Sequence, residues 1–324
     1  MNLYPLKFKP LSKYRIWGGE KLNTVLNKGF KGDYIGESWE ISDVEGDQTR
    51  VINGPLAGKT LKSLIQEFDV EFLGKSVYER FGTDFPLLIK FIDAKTPLSI
   101  QVHPHDKVAK ERHNSFGKNE MWYIMDANPE AEIIVGFNKQ LTPESYLNYL
   151  ENGKVLDVLN KEYTNAGDAY YIPTGRVHAI GEGVLLAEIQ QTSDITYRIY
   201  DYERVEKSTG KTRDLHNELA LDVLDFAVYE QYNTNYTVQK NQVNTLIHTP
   251  YFKTNIIKID YKIQRDYTDI DSFVIYICTV GMLELMVNNE VYSLKKGETM
   301  VLPAVIKSIE LVPRRTAEIL EVYC

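Results

Sequence analysis

The chain has 324 residues, with 45 acidic against 37 basic side chains, a net charge of −8 and 43% hydrophobic residues. That length accommodates two domains with a core in each, and the acidic balance excludes a phosphate-backbone binder, which needs clustered lysine and arginine in excess. No apolar run approaches the roughly 20 residues of a membrane span, and the opening MNLYPLKFKP has no leader-like apolar stretch, so a soluble cytoplasmic chain with neither nucleic-acid nor membrane partner is expected.

Most of the chain reads as short strands rich in Val, Ile and Tyr, punctuated by Gly, Asp, Asn or Pro. In order they include PLLIKFIDA (86–94), EMWYIMDA (120–127), AEIIVGF (131–137), VLLAEIQQ (184–191), YFKTNIIKID (251–260) and SFVIYICTV (272–280). Helical signals are fewer. The stretch 142–153, TPESYLNYLENG, has Thr142 as N-cap, Pro143 in the first turn and Gly153 as a stop, and 214–226, DLHNELALDVLDF, spaces its apolar residues by three and four. The pattern predicts a mainly β protein of antiparallel sandwiches or barrels decorated by a few helices. Cys278 lies in an apolar run and Cys324 is the last residue, so no disulfide framework is expected.

An internal repeat divides the chain. GDAYYIP (167–173) and GETMVLP (297–303) each predict a tight turn at glycine, a strand, and a stop at proline. Two related units follow, with the boundary near 235 in the polar stretch 229–244, giving a first unit at 1–235 and a second at 236–324. The first copy continues TGRVHAIG and supplies His178, whereas the second continues AVIKSIE and supplies no histidine. Chemistry is therefore expected in the first unit, and the second is a degenerate copy without metal ligands.

Gly167, Pro173, Gly175 and His178 satisfy G-x5-P-x-G-x2-H, the second signature of the cupin barrel apart from its final position, where this chain has Glu182. Upstream, in LSIQVHPHDK (98–107), Gln101 and His103 share one strand face by alternation, while Pro104 closes the strand and leaves His105 outside. A divalent ion held by two neutral histidines calls for a carboxylate, and Glu120, which opens the next strong strand, is the best placed. With an oxygen of Gln101 these make a plausible zinc site with room for substrate oxygens. His113, His216 and His248 have no matching partners and read as surface residues.

Three basic residues accompany this set. Lys90 sits inside an apolar strand, which implies an anionic ligand or a buried ion pair with Asp93 or Asp194. Lys118 precedes Glu120 by two and shares its face if the strand begins early. Arg198 alternates with Thr196 and Tyr200, and its forked donors suit a phosphate or an enediolate oxygen. Cations converging on a metal inside an acidic protein point to a small anionic substrate.

Over essentially its whole length the chain resembles the type I mannose-6-phosphate isomerases, in their short bacterial form, within the cupin superfamily. The resemblance is carried by YRIWGG (14–19), IGESWEISD (35–43), PLLIKFIDAKTPLSIQVHP (86–104), GKNEMWY (117–123), GDAYYIPTGRVHAIG (167–181) and EIQQTSDITYRIYDY (188–202). It implies two cupin-type barrels and a zinc-dependent interconversion of mannose 6-phosphate and fructose 6-phosphate through a cis-enediol. One Zn²⁺ per chain would be held by Gln101, His103, Glu120 and His178, with Arg198 and Lys118 catalytic and Lys90, Lys118 and Asp194 in contact with substrate. The phosphosugar is the expected partner, with no obligate protein partner evident. The general base stays open between Lys118, Glu182 and a zinc-bound hydroxide, and the phosphate falls to Lys90 or Lys118. Gly117 stands where longer relatives carry a histidine, so that residue's proton-transfer role does not carry over. The chain is also too short for the large helical insertion of those relatives. Two other classes fit parts of the pattern: an Fe(II) cupin oxygenase using His103, Glu120 and His178, and a non-catalytic sugar-phosphate-binding bicupin.

Overall fold

A computed structural model describes residues 3–207 and 209–324. Two β-sandwiches of antiparallel strands account for most of it. In the first, a six-stranded sheet runs in the order Ala169–Ile172, Glu120–Ala127, Val184–Gln191, Leu87–Ala94, Leu11–Gly19, Ile35–Ile41. It faces a five-stranded sheet of Tyr197–Tyr200, Ile100–Val102, His178–Ile180, Glu132–Phe137 and Leu159–Tyr163. Trp17, Ile92, Trp122, Val135, Tyr170 and Leu186 fill the space between them.

The second sandwich pairs a five-stranded sheet (Val243–His248, Lys253–Ile259, Ala317–Tyr323, Val274–Val280, Thr299–Leu302) with a four-stranded one (Ile263–Asp266, Ser308–Pro313, Met282–Val287, Glu290–Lys295). It has its own core, including Ile259, Leu285, Met300 and Ile319. The beginning of the chain joins this unit: Leu6 and Val301 exchange both backbone hydrogen bonds, at 2.8 and 2.9 Å. Gly167 (φ 98°) and Gly297 (φ 81°) open corresponding strands that each stop before a proline, so the repeated heptapeptide does the same structural work in both sandwiches.

The sandwiches share a third core. Strand Leu87–Ala94 is buried along its whole length because its two faces meet different neighbours. Ile92 points between the sheets of the first sandwich, while Leu87, Ile89 and Phe91 pack outward with Met121, Ala187 and Ile189 against Ile256, Ile275 and Leu320 of the second. This is why the strand reads as an unbroken apolar run with one lysine in it.

Helices cover the remaining faces. Pro143–Glu151 starts as its sequence predicts, with Thr142 and Ser145 forming a capping box, and buries Tyr146 against the outside of the five-stranded sheet. The second expected helix is shorter than 214–226: only Asn217–Leu221 is helical, because the chain then turns to bring the Asp225 N–H to the Gly175 carbonyl at 2.8 Å. Helices Leu61–Leu73, Lys75–Phe81 and Asp106–His113 were not expected. Among the described residues no helix is long and apolar enough to cross a membrane, and both cysteines are free.

Candidate functional site

The cupin signature folds as its glycines require. At Gly175 (φ 86°) an added Cβ would lie 2.8 Å from the Val223 carbonyl, and the Gly175 N–H donates to the His103 carbonyl at 3.0 Å, tying the two histidine-bearing segments together. Strand pairing does the next step. Gln101 lies opposite His178 on one side and Arg198 on the other, so Arg198, Gln101 and His178 form a row across the five-stranded sheet. Glu120 projects toward them from the facing sheet.

The convergence is tight. The Nε2 atoms of His103 and His178 are 3.1 Å apart, the Glu120 oxygens lie 3.5 and 3.4 Å from them, and the Gln101 amide is 3.2 Å from His178 Nε2. Each histidine donates Nδ1–H to a carbonyl, His103 to Ile195 at 2.9 Å and His178 to Arg176 at 2.8 Å, which leaves both Nε2 atoms as lone-pair bearers. Burial, reinforced by the Lys118 charge, pushes His103 down to about 3, and burial also lowers His178, so both are neutral. Burial works against the Glu120 carboxylate, but the Lys118 ammonium outweighs it and holds its pKa well below the usual range.

Two neutral nitrogens facing each other at hydrogen-bond distance, with no proton between them, repel. Both Glu120 oxygens lack a well-directed donor; the Lys118 ammonium is 2.8 Å from Oε2, close enough for ion pairing but poorly aimed. His103, Glu120 and His178 are fully buried and could hold a metal ion. Two imidazoles and one carboxylate are donors that zinc accepts, Gln101 turns its amide nitrogen toward His178 and offers its oxygen only with the amide flipped, and a divalent cation removes both the repulsion and the orphaned carboxylate. The residues fit such an ion.

Above this cluster lies a cavity of about 520 Å³ whose wall includes Lys90, Lys118, Glu188, Asp194 and Arg198. Lys118 is buried, with Nζ 3.0 Å from His103 Nε2; burial opposes its charge, yet Glu120 and Glu188 raise its pKa. Lys90 has a partner that sequence reasoning did not name. Glu188 stands directly across from it on the neighbouring strand, at 3.1 Å, and Gln190 Oε1 accepts from it at 2.6 Å. The Asp93 and Asp194 alternatives are not formed: Asp93 accepts the Lys21 N–H at 2.6 Å, and Asp194 is exposed at the cavity rim. Glu188 also accepts from Trp122 Nε1 at 3.1 Å, and burial, reinforced by the Glu120 charge, raises its pKa.

Two other sequence readings change. Glu182 is exposed and lines a separate depression with Pro97 and Tyr202, so it is not a base for this cavity. His216 is not a plain surface residue: half-buried, it lines the cavity and accepts the Arg198 N–H at 3.1 Å. Gly117 has a steric reason, since a Cβ there would come within 2.7 Å of the Asp106 nitrogen. His105 is exposed and caps helix Asp106–His113. Arg15 and Glu37, paired through two hydrogen bonds at 2.9 and 2.8 Å on the cavity wall, were also missed; they pair across adjacent strands, a relation no local motif records.

Fold and site together define a double cupin with, among the described residues, one buried His–Glu–His cluster, in the first sandwich. Residues 6–145 match the catalytic domain of phosphomannose isomerase type I, and residues 242–323 match the mannose-6-phosphate isomerase cupin domain. The mannose-6-phosphate isomerase ManA of Bacillus subtilis is 36% identical over 309 residues, covering 94% of each chain. The mannose-6-phosphate isomerase of Streptococcus mutans is 33% identical over 305 residues, again covering 94% of each. The crystal structure of the mannose 6-phosphate isomerase from Bacillus subtilis superposes with a TM-score of 0.90 at 30% identity, over 99% of this chain and 100% of that one. The chain belongs to the type I mannose-6-phosphate isomerases, a family of isomerase enzymes.

Proposed function

We propose that the chain is a zinc-dependent aldose–ketose isomerase interconverting mannose 6-phosphate and fructose 6-phosphate through a cis-enediol, working in the cytoplasm on a phosphosugar without an obligate protein partner. The observation that carries this is the pair of Nε2 lone pairs 3.1 Å apart, facing Glu120 beneath a cavity whose wall carries Lys90, Lys118 and Arg198 among carboxylates. Gln101, His103, Glu120 and His178 hold one Zn²⁺ per chain, all from the segment 1–235, while 236–324 forms a degenerate cupin. When bound, the ion supplies a Lewis acid for the oxygens on C1 and C2 of the sugar.

The remaining work belongs to the chain's own groups. Arg198, opposite Gln101 in the sheet, presents a preorganised cation to the oxygens on which the enediolate charge collects. Lys118, kept as an ammonium by its two glutamates, donates to the same oxygens. The proton that moves between C2 and C1 needs a buried base at the cavity wall, and Glu188 is one whose pKa burial and the Glu120 charge raise. Lys90 holds Glu188 in place and reaches a sugar hydroxyl, and Asp194 accepts hydroxyls at the rim.

A coupled assay of mannose 6-phosphate conversion tests the reading. Turnover should vanish with chelator and return with added zinc. Full turnover in metal-stripped protein sinks the metal role; saturable binding without turnover leaves a sugar-phosphate binder instead.

A further inference from the structure

Lys118 and Glu120 flank a residue that a network of hydrogen bonds holds from outside both the cavity and the cluster. Asn119 is buried but does not line the cavity. Its N–H donates to Gln191 Oε1 at 2.9 Å, its carbonyl accepts the Gln191 N–H at 3.1 Å, and its Nδ2 donates to the same Oε1 at 2.7 Å. Its Oδ1 accepts from the Thr174 N–H at 3.2 Å and from the Tyr171 hydroxyl at 3.1 Å. Gln191 passes the chain on: its Nε2 donates to Asp106 Oδ1 at 3.1 Å, and that oxygen also accepts the Gly117 N–H at 2.8 Å.

Two backbone groups fix which way each amide faces. The Thr174 N–H can only donate, so Asn119 turns its oxygen there and its NH2 to Gln191. The Asn119 N–H can only donate, so Gln191 turns its oxygen there and its NH2 to the Asp106 carboxylate. The network also joins every segment that carries a reactive group. Asp106 closely follows His103, Asn119 separates Lys118 from Glu120, Thr174 leads into His178, and Gln191 ends the strand of Glu188. Both neighbours of Lys118 are tied to one carboxylate oxygen, Gly117 directly and Asn119 through Gln191. Strand Glu120–Ala127 is already paired on both sides, so its own pairing does not call for these side-chain bonds.

Resting on the isomerase reading above, we propose that Asn119, locked by Gln191, Asp106 and Thr174, is a positioning residue for the reaction. It fixes the Lys118 ammonium toward the substrate oxygens and the Glu120 carboxylate against the two imidazoles. A misplacement of about 1 Å costs on the order of 10²-fold in rate even when its cause is remote from the chemistry.

Three variants cut the network at different points. Asn119→Ala removes its centre, and Gln191→Met breaks it with the side-chain volume kept. At saturating zinc each should lower kcat for mannose 6-phosphate roughly 10- to 100-fold, with KM changed less than about threefold. Zinc affinity, measured against a chromogenic chelator, should fall roughly 10-fold or more. The double variant should be no slower than the slower single one, since both cut the same network. Tyr171→Phe keeps the ring and removes one bond to Asn119, so it stays folded and should lower kcat about two- to tenfold. A lowered melting point with kcat and zinc affinity unchanged in the folded variants, or losses that multiply in the double variant, overturns the assignment. A parent protein that does not turn over mannose 6-phosphate fails the isomerase reading instead, and the zinc-affinity measurement then still tests Asn119 on its own.

Discussion

The two sandwiches carry the same problem in their interiors and solve it differently. Each buries a carboxylate between its sheets, Glu120 in the first and Glu321 in the second, both fully inaccessible to solvent. Glu321 is satisfied from within: Arg265 reaches it through Nε at 2.9 Å and Nη2 at 3.0 Å, Tyr267 donates at 2.7 Å and Asn255 at 2.9 Å. Glu120 faces two imidazole lone pairs and is left without a well-aimed donor. In the second sandwich, Ser308 occupies the place that His178 holds after the repeated heptapeptide, and a protein-borne guanidinium stands where the first sandwich calls for an outside cation. The difference teaches that a buried carboxylate marks a cation site when its oxygens are left without well-directed donors, as those of Glu120 are even with the Lys118 ammonium 2.8 Å away.

That contrast can be broken at either end. The largest effect is expected from His178→Ala, which removes one of the facing nitrogens: bound zinc and mannose 6-phosphate turnover should fall together to background, by metal analysis and coupled assay, while near-full activity would remove the cluster from the chemistry. In the second sandwich, Glu321→Leu leaves the half-buried Arg265 and the Tyr267 hydroxyl without their acceptor and should destabilise by about 1–3 kcal/mol in urea unfolding, with kcat per folded molecule unchanged. Adding Arg265→Met should recover most of that loss. A single variant as stable as the parent would mean that the guanidinium is not acting as the internal cation.

Acid sharpens the same comparison more gently. In chelated protein His103 stays neutral to about pH 3 because burial and Lys118 disfavour its charge, whereas in the unfolded chain it titrates near 6.5. Between those values the unfolded chain binds more protons, so stability falls as pH drops through the window. Burial opposes the charge of Glu37, but Arg15 and Lys90 prevail and hold it at about 2, so its contribution is lost as pH falls from 4.5 toward 2. Arg265 does not titrate there, since Glu321 outweighs the effect of burial on its charge. Hydrogen exchange on chelated protein between pH 6.5 and 4 should therefore show the first sandwich opening before the second; simultaneous opening would contradict this. The smallest effect is Glu182→Gln, which should change kcat less than about twofold because the side chain lies outside the cavity.

What the sequence made legible was local. The spacing of Gly175 and His178, the alternation of Gln101 with His103, and the repeated turn–strand–proline unit are all set within a few residues, and the fold places them as expected. Helix Leu61–Leu73 was missed although Thr60 caps it and Leu61, Leu64, Ile65 and Phe72 share its buried face; its signal is as local as any other. Glu188, Arg15–Glu37 and His216 are another matter. Lys90 meets Glu188 only through cross-strand register between residues 98 apart, and His216 reaches the cavity only because its segment folds back on Arg198. Glu182 misled because nearness to a motif in sequence was read as nearness in space.

The apolar seam between the sandwiches gives the second one a use that its lack of ligands hides. The strands that carry Glu120, Lys90 and Glu188 present Met121, Phe91 and Ala187 on their reverse side, pressed against Ile256, Ile275 and Leu320. A catalytic half cut free of its companion would bare that greasy back to water and tend to clump, and the strands bearing the reactive groups would lose their stiff backing. The second unit thereby serves as a buttress, its apolar residues backing the strands whose opposite face carries Glu120, Lys90 and Glu188.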